Sequence, residues 1–400
     1  MRQTMPPGAR ESTLHHTAHL ELETLVRGLG SQAMWLVFQL TFLASMLLMA
    51  VSCIVVTASS LDALSVLLLG NAWGLQLTPS VRWVSACDGA ACAGLPFAAV
   101  SAAGGSLLSV GYALTVALTA PLALVDVSET FQSVSYCISL VCLLQLILKF
   151  SSMAFAGSHS AGVLPPALGW DAGLALEVSF WSWLVTFAAP MWVEERDHSL
   201  PIAPPLLYSF GHRAVLDLLL GLSGAAAFPH MPPTMLNVLE AVGVHPECGV
   251  LTRACGVGFV VFSLLPNITD YAMVASRNLE CHIGSLAANV LGVGMPFATA
   301  WMFYFGASFS ALVSSLAPLL NGAVQFLVPA LLFLAYTRVN GDGGLVSLLD
   351  VKLHERTWRY AARGIAASAA LLICLTYWLG GLVAAGRIHP AHQAPTDYAG

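Results

Sequence analysis

Charged residues are scarce in this sequence. Asp, Glu, Lys and Arg make up 9% of its 400 residues, whereas a soluble globular domain carries about 25%. Hydrophobic residues make up 57%, and the mean hydropathy is +0.78. This composition excludes an ordinary soluble domain. Because the apolar runs are long and do not alternate with polar residues, the sequence predicts an all-α polytopic membrane protein rather than a β-barrel.

Enzyme and nucleotide-binding motifs are also absent. The sequence has no P-loop, dinucleotide-binding glycine pattern, Ser-His-Asp order or nucleic-acid-binding motif. His15, His16 and His19 lie close together, but no third ligand or acidic base follows at the spacing of a zinc site. We therefore expect no catalytic residues, no metal site, no cofactor and no nucleic-acid partner.

Long apolar segments dominate what is present, and a helix that crosses a bilayer needs about 20 such residues. Nine segments qualify: 33–56, 106–126, 134–154, 172–192, 210–228, 250–275, 284–304, 310–336 and 360–384. The first segment is followed by no proline before Pro79. We therefore expect one long helix that continues to Gly70, rather than a tenth short span.

The distribution of basic residues predicts the topology. With a cytosolic N-terminus, most of the 15 Lys and Arg residues fall on or near the cytosolic side. The exceptions are Arg82, Lys149, Arg253 and Arg387. We expect a cytosolic tail at residues 1–30, a transmembrane domain at 31–386 and an extracytosolic tail at 387–400. The sequence does not distinguish a plasma membrane from a vacuolar or lysosomal one, and it does not give the oligomeric state.

Two cysteines, Cys87 and Cys92, lie in the long loop predicted on the extracytosolic side. An oxidising compartment would allow them to form a disulfide. Cys248 is an alternative partner on the same side, because connectivity cannot be derived from sequence.

Polar residues inside the predicted spans are the best indication of a site, since each costs free energy in lipid unless it faces protein or water. Ser263, Asn267 and Asp270 share one helix face, and Pro266 leaves the carbonyl of Phe262 without its helical donor. This oxygen-rich stripe suits a cation or a polar substrate. Two plainer interpretations stay open: the stripe holds helices together, or Asp270 lies near the cytosolic interface. The first long helix carries a further polar group, Thr57, Ser60 and Asp62.

The fourth predicted span contains the sequence "SFWSW" in one half and Pro190 in the other. Its hydroxyls and aromatic faces, at Ser179, Phe180, Trp181 and Ser182, lie at a depth where transporters bind substrate near broken helices. The alternative is a belt of interfacial tryptophans. Sequence alone favours the belt.

Several segments occur in the order found in a known family. "APMWVEE" is similar to a proline-tryptophan-acid junction that follows a sixth helix, with Met191 inserted. "GLSGAAAF" and "NGAVQFLVP" resemble the seventh and tenth helices of the same family. Together with "SLLPNITDYAMVASRNL", this order resembles the amino acid/auxin permease family over residues 28 to 340.

The resemblance implies a proton- or sodium-coupled amino acid symporter with the inverted-repeat fold of the leucine transporter. That fold has about eleven helices, and the nine spans correspond to the third through eleventh, so we expect an incomplete version. We expect a truncated gene product rather than a degenerate relative. The acidic run after the family's fourth helix also differs, since "VDVSETF" keeps only Asp126 and Glu129.

The resemblance also implies roles for residues named above. Ser179, Phe180, Trp181 and Ser182 would bind the amino acid, with Thr57 and Ser60 approaching from another helix. Ser263, Asn267 and Asp270 would serve Na⁺ or H⁺ coupling. The partners would be a small amino acid and the lipid bilayer. The alternative function is a transport-inactive membrane sensor, scaffold or partner subunit derived from a transporter.

Overall fold

The computed structural model describes residues 32–86, 97, 106–125, 128–156, 203–228, 242–243, 245–304, 316, 319–331, 334 and 355–384. These residues are mostly helical and belong to two compact units. The first unit contains the described residues up to 45, from 203 to 213 and from 316 onward. The second contains those between 46 and 156 and between 214 and 304.

Helices account for most of the described chain. They are α1 (Gln32–Leu69), α2 (Val110–Leu124), α3 (Ser128–Ala156), α4 (Ala203–Ala227), α5 (Val250–Ile283), α6 (Ser285–Asn289), α7 (Met295–Phe303), α8 (Leu319–Leu331) and α9 (Glu355–Ala384). A π-helical turn, Val290–Gly294, joins α6 to α7, and a second, Ala323–Leu327, lies within α8.

Three helices in the described part are long and apolar enough to cross a membrane. Their apolar stretches are Trp35–Leu69, Thr130–Phe155 and Val250–Glu280. These helices agree with the expected helical membrane protein, while the count of nine spans stays a prediction. The predicted fourth span, 172–192, lies outside the described residues.

Helix α3 has the polarity of a membrane helix rather than of a soluble one. Ser135 and Ser139 are buried, whereas Val141 and Leu148 are 67% and 71% exposed. A helix that faced water would reverse this arrangement. Lipid favours apolar side chains on the outside and polar side chains between helices.

The prediction of one long first helix is confirmed. Helix α1 runs without a break to Leu69 and ends at Gly70, whose φ is +75° and whose N–H donates to the Val66 carbonyl at 2.9 Å. Its 38 residues span about 57 Å, well beyond the roughly 30 Å of a hydrocarbon core. A helix of this length crosses the core with a tilt or extends beyond it at one end.

A small antiparallel sheet follows α1, so the all-α prediction is wrong in this region. Strands β1 (Trp73–Gln76), β2 (Arg82–Ser85) and β3 (Leu107–Ser109) pair in the order β2-β1-β3, with Gly74 opposite Ser109. Strands of three or four residues are too short to show a period of two. In addition, β3 occupies the first residues of the apolar run predicted as the span 106–126.

Helices α5 and α6 form a tight corner between the predicted spans 250–275 and 284–304. The predicted span 250–275 continues to Ile283, and Gly284, with φ of +80°, turns the chain directly into α6. Behind this corner, Gly292 packs so closely on α5 that a Cβ there would lie 2.5 Å from the Ser276 backbone. The two segments therefore pack as one helical hairpin.

Cys248 lies in an apolar core of the second unit. It is a free thiol, 2% exposed, packed with Leu146, Phe150 and Phe228. Burial raises the pKa of this thiol. The structure thus shows Cys248 as a packing residue rather than as half of a disulfide. Cys87 and Cys92 lie outside the described residues, so their disulfide stays a prediction.

Candidate functional site

A fully buried carboxylate, that of Asp62, lies near the end of α1. Its exposed fraction is 0%. The backbone N–H of Gly111 donates to Oδ1 at 2.8 Å, and the hydroxyl of Tyr304 donates to Oδ2. Residues from three parts of the second unit therefore enclose one acidic group, which we name the Asp62 site.

The sheet brings the start of α2 to this carboxylate. Strand β3 ends at Ser109, and the same residue caps α2, because its Oγ accepts a hydrogen bond from the Tyr112 N–H at 3.1 Å. Gly111, in the first turn of α2, can then direct its own N–H at Asp62. A helix N-terminus carries partial positive charge, so it stabilises an ionised carboxylate.

Only glycine fits at position 111. A Cβ there would lie 2.4 Å from the Ala58 carbonyl oxygen and 2.7 Å from Asp62 Oδ1. Backbone atoms of α1 cannot move aside as a flexible side chain can. The absence of a side chain at this position is therefore what allows the N–H to reach the carboxylate.

Helix α7 carries the second donor and is tied to the same sheet. The Trp301 indole N–H donates to the Leu107 carbonyl at 3.0 Å, and the Tyr112 hydroxyl donates to the Phe297 carbonyl at 2.5 Å. Tyr304 follows directly after α7, and its hydroxyl also accepts from Ser109 Oγ at 3.2 Å. These bonds fix the phenol over Asp62.

Uncharged donors surround this acid. Among the described residues, the Asp62 carboxylate contacts Gly111, Ser109 and Tyr304, and none of them is a Lys, Arg or His. Such donors stabilise the ionised form through charge-assisted hydrogen bonds. The carboxylate can also take up a proton without breaking an ion pair. The arrangement therefore suits reversible proton binding.

The predicted stripe on α5 lies against α3. Three pairs of side chains form hydrogen bonds between these helices: Gln132 to Asp270 at 2.8 and 2.9 Å, Ser139 with Ser263 at 2.8 Å, and Gln145 to Thr252 at 3.3 Å. We call this contact the α3–α5 seam. It corresponds to the interpretation in which polar residues hold helices together.

Two of the predicted ion-coupling residues thus face α3. Ser263 and Asp270 contact it directly, and the Asn267 amide donates back to the Ser263 carbonyl at 3.1 Å. The structure brings this trio together on one face, as the sequence predicts. The Ser263 hydroxyl and the Asp270 carboxylate, however, already take part in hydrogen bonds within the seam.

Thr57 and Ser60 take no part in the hydrogen bonds of the Asp62 site. Thr57 is fully buried, and its hydroxyl has no hydrogen-bond partner among the described residues; Ser60 is partly buried. The predicted substrate residues Ser179, Phe180, Trp181 and Ser182 lie outside the described residues. In the part of the chain that the structure describes, no group of three His, Cys, Asp or Glu side chains could hold a metal ion.

Sequence reasoning noted Asp62 but did not assign it to the site, and it missed Gly111, Ser109 and Tyr304 altogether. A carboxylate within an apolar run was the available signal. Its donors are 49 and 242 residues away, so no local spacing connects them.

No family model, no curated protein and no solved structure matches this chain.

Proposed function

We propose that this protein is a secondary active transporter that moves amino acids across a membrane, driven by a proton gradient through Asp62. The observation that carries the proposal is a fully buried carboxylate, held by neutral donors, in a helix long enough to span a bilayer. Ionisable groups in such helices serve proton relays and ion pathways. The amino acid substrate follows from the resemblance to the permease family, as does a nine-span, incomplete leucine-transporter-like fold.

The donors around Asp62 favour a proton over sodium. Na⁺ requires a shell of oxygen acceptors, as hard cations do. Gly111 and Tyr304 instead direct hydrogen atoms at both carboxylate oxygens. A cation beside Asp62 would meet the positively polarised hydrogen atoms of the Gly111 N–H and the Tyr304 O–H. A proton on the carboxylate would instead take the place of one donated hydrogen bond.

Protonation would also change how α7 is held. In the ionised state, Asp62 binds the start of α2 and Tyr304 at the end of α7 through charge-assisted hydrogen bonds. A neutral carboxyl group holds these donors less strongly. Proton binding thus shifts the balance between a state with α7 held and one with α7 released, which is the differential interaction that coupling requires.

The test compares two isosteric variants in proteoliposomes. We expect wild-type protein to accumulate neutral L-amino acids under an inward proton gradient but not under a sodium gradient of equal size. We expect Asp62→Asn to lose gradient-driven accumulation and to keep exchange of substrate across the membrane. Asp270→Asn should keep both gradient-driven accumulation and substrate exchange, because a carboxamide at that position can still accept a hydrogen bond from Gln132.

Proton-driven accumulation by Asp62→Asn would overturn the assignment of the coupling residue. Absence of uptake by the wild-type protein under either gradient would favour the other function, a transport-inactive sensor, scaffold or partner subunit.

A further inference from the structure

Two basic residues, Lys149 on α3 and Arg253 on α5, lie around Cys248 at one end of the α3–α5 seam. Cys248 belongs to the same apolar core as Phe150, the residue that follows Lys149. The Cys248 N–H and the Arg253 guanidinium donate to one shared acceptor, the His245 carbonyl, at 3.1 and 3.2 Å. Burial raises the pKa of the Cys248 thiol, and the positive charges of both basic residues act on it in the opposite direction. We call Lys149 and Arg253 the basic pair.

The basic pair has no acidic partner in the described part of the chain. No ion pair forms there at either residue, and the buried Nε of Arg253 has no hydrogen-bond acceptor among the described residues. Glu247 is an exposed acid whose charge also acts on the Cys248 thiol, so two positive charges meet one negative charge. Because both members of the pair are partly buried, a bound anion would lower the free energy of holding them together.

The first turn of α5 adds backbone donors at the same place. Its N-cap, Gly249, has no side chain, and among the described residues no side-chain hydrogen bond caps this helix. The N–H groups of a first turn have no acceptor within their own helix, and the positive end of the helix dipole favours an anion. Arg253 lies on this turn, since its backbone N–H donates to the Gly249 carbonyl at 3.1 Å.

Exposed apolar residues adjoin the basic pair. Leu148, directly before Lys149, is 71% exposed, and Val250 and Leu251 at the start of α5 are 62% and 68% exposed. Cations next to exposed apolar side chains are typical of protein that meets a bilayer interface, where long basic side chains reach the headgroups. Acyl chains would cover these apolar residues, whereas a phosphate dissolved in water would not. The surroundings therefore favour a lipid as the anion.

The expected topology also makes the pair unusual. Lys149 and Arg253 are two of the four basic residues predicted on the extracytosolic side, where Lys and Arg are depleted. They belong to different helices, yet the structure brings them to the same thiol. A shared ligand accounts for both exceptions at once.

We propose that the basic pair and the first turn of α5 bind the phosphate group of an anionic phospholipid, with its acyl chains against Leu148 and Leu251. Arg253 supplies a planar fork of donors that matches phosphate oxygens, and Lys149 supplies a compact charge from the neighbouring helix. The lipid would thus connect α3 to the start of α5. None of these residues belongs to the Asp62 site, so lipid binding here is independent of proton coupling and of the transported substrate.

Binding is measured by titrating purified full-length protein, in a neutral detergent, with phosphatidylglycerol. Native mass spectrometry gives the dissociation constant of the first bound lipid. We expect Lys149→Gln and Arg253→Gln each to raise this constant about fivefold, the effect of one basic residue near an anionic headgroup. Arg253→Lys should have a smaller effect, because it keeps the charge and loses the fork. Phosphatidylcholine, whose ammonium group cancels the phosphate charge, should bind more weakly and respond to none of these substitutions.

The control is Arg82→Gln, at a basic residue also predicted on the extracytosolic side. Its Nε donates to the Gln76 side chain at 2.9 Å within the small sheet, so we expect wild-type affinity for phosphatidylglycerol. The unfolding temperature without added lipid shows whether each variant is folded. Lys149→Gln is the more stringent variant, because Arg253→Gln also removes the bond to the His245 carbonyl.

Equal affinities of the wild type and of folded Lys149→Gln for phosphatidylglycerol would overturn the proposal, as would equal affinities of the wild type for the two lipids. Inorganic phosphate provides the remaining comparison. If phosphate raises the unfolding temperature of the wild type but not of Lys149→Gln, while lipid affinity is the same in both, the ligand is a free phosphate and the lipid assignment is wrong.

Discussion

Asp62 and Asp270 are the same residue type in two apolar helices, yet their surroundings differ. Asp270 is partly exposed, and in the α3–α5 seam it accepts two hydrogen bonds from the carboxamide of Gln132. Asp62 is fully buried and accepts from a helix N-terminus and a phenol. The Gln132 donor to Asp270 lies on one neighbouring helix, whereas the donors to Asp62 lie on two separate elements.

The difference shows that two carboxylates in apolar helices can have distinct structural surroundings. In the seam, the acid is one of several polar groups that pair across two helices, alongside Ser139 with Ser263. In the Asp62 site, the carboxylate links α1, α2 and α7. Loss of the charge at Asp270 would weaken a contact between two helices, while loss of the charge at Asp62 would change how three helices are held together.

The largest expected effect comes from adding a side chain at Gly111, where α2 packs closely against α1. Gly111→Val would place methyl groups where the Ala58 carbonyl and the Asp62 carboxylate lie, so we expect a loss of about 3 kcal/mol or more in unfolding free energy. Titration of mixed micelles with SDS measures this quantity. Gly221→Val on α4 is the matched control, because a Cβ there meets nothing within 4 Å. Equal losses for both variants would contradict the close approach at Gly111.

An intermediate effect is expected from the phenol over Asp62. Tyr304→Phe removes one of the donors to a buried carboxylate, which should cost about 1–3 kcal/mol of unfolding free energy. The pH profile of uptake should change as well, because Tyr304 holds the group that we propose to carry the proton. Tyr208→Phe, at a residue that is 76% exposed, should change neither stability nor pH profile. If the pH profile of Tyr304→Phe equals that of the wild type, the Tyr304 hydroxyl takes no part in the proposed coupling step.

The smallest effect belongs to the seam. Ser263→Ala removes a hydroxyl that bonds to Ser139 across two helices, and interhelical hydrogen bonds of this kind average about 0.6 kcal/mol. We expect the unfolding free energy to fall by about this amount and proton coupling to stay unchanged. Ser152→Ala is the control, since its hydroxyl donates to the Lys149 carbonyl of its own helix. Loss of proton coupling in Ser263→Ala would indicate that the polar stripe on α5 takes part in coupling.

The helices were the predictable part of the fold. Their long apolar runs identify α1, α3 and α5, and the absence of proline before Pro79 predicts the full length of α1. The sheet was not predictable from pattern, since its strands are too short to alternate and β3 merges with the apolar run of α2. The corner at Gly284 was missed because the polar residues at the end of α5 resemble a loop.

The site was predictable only in its individual residues. Asp62 stands out as an acid among apolar residues, and the spacing of Ser263, Asn267 and Asp270 correctly places them on one face. Their partners come from tertiary packing: Tyr304 reaches Asp62 because Trp301 is anchored to the sheet. No periodicity within a single segment encodes such a contact.

The sequence separations within the Asp62 site also set an order for its assembly. Synthesis proceeds from the N-terminus. Gly111 is made 49 residues after Asp62, whereas Tyr304 is made 242 residues after Asp62. A nascent chain that ends before Tyr304 carries this acid with its backbone donor but without its phenol. The Asp62 site is therefore completed late in biosynthesis, when the chain beyond α7 begins to emerge.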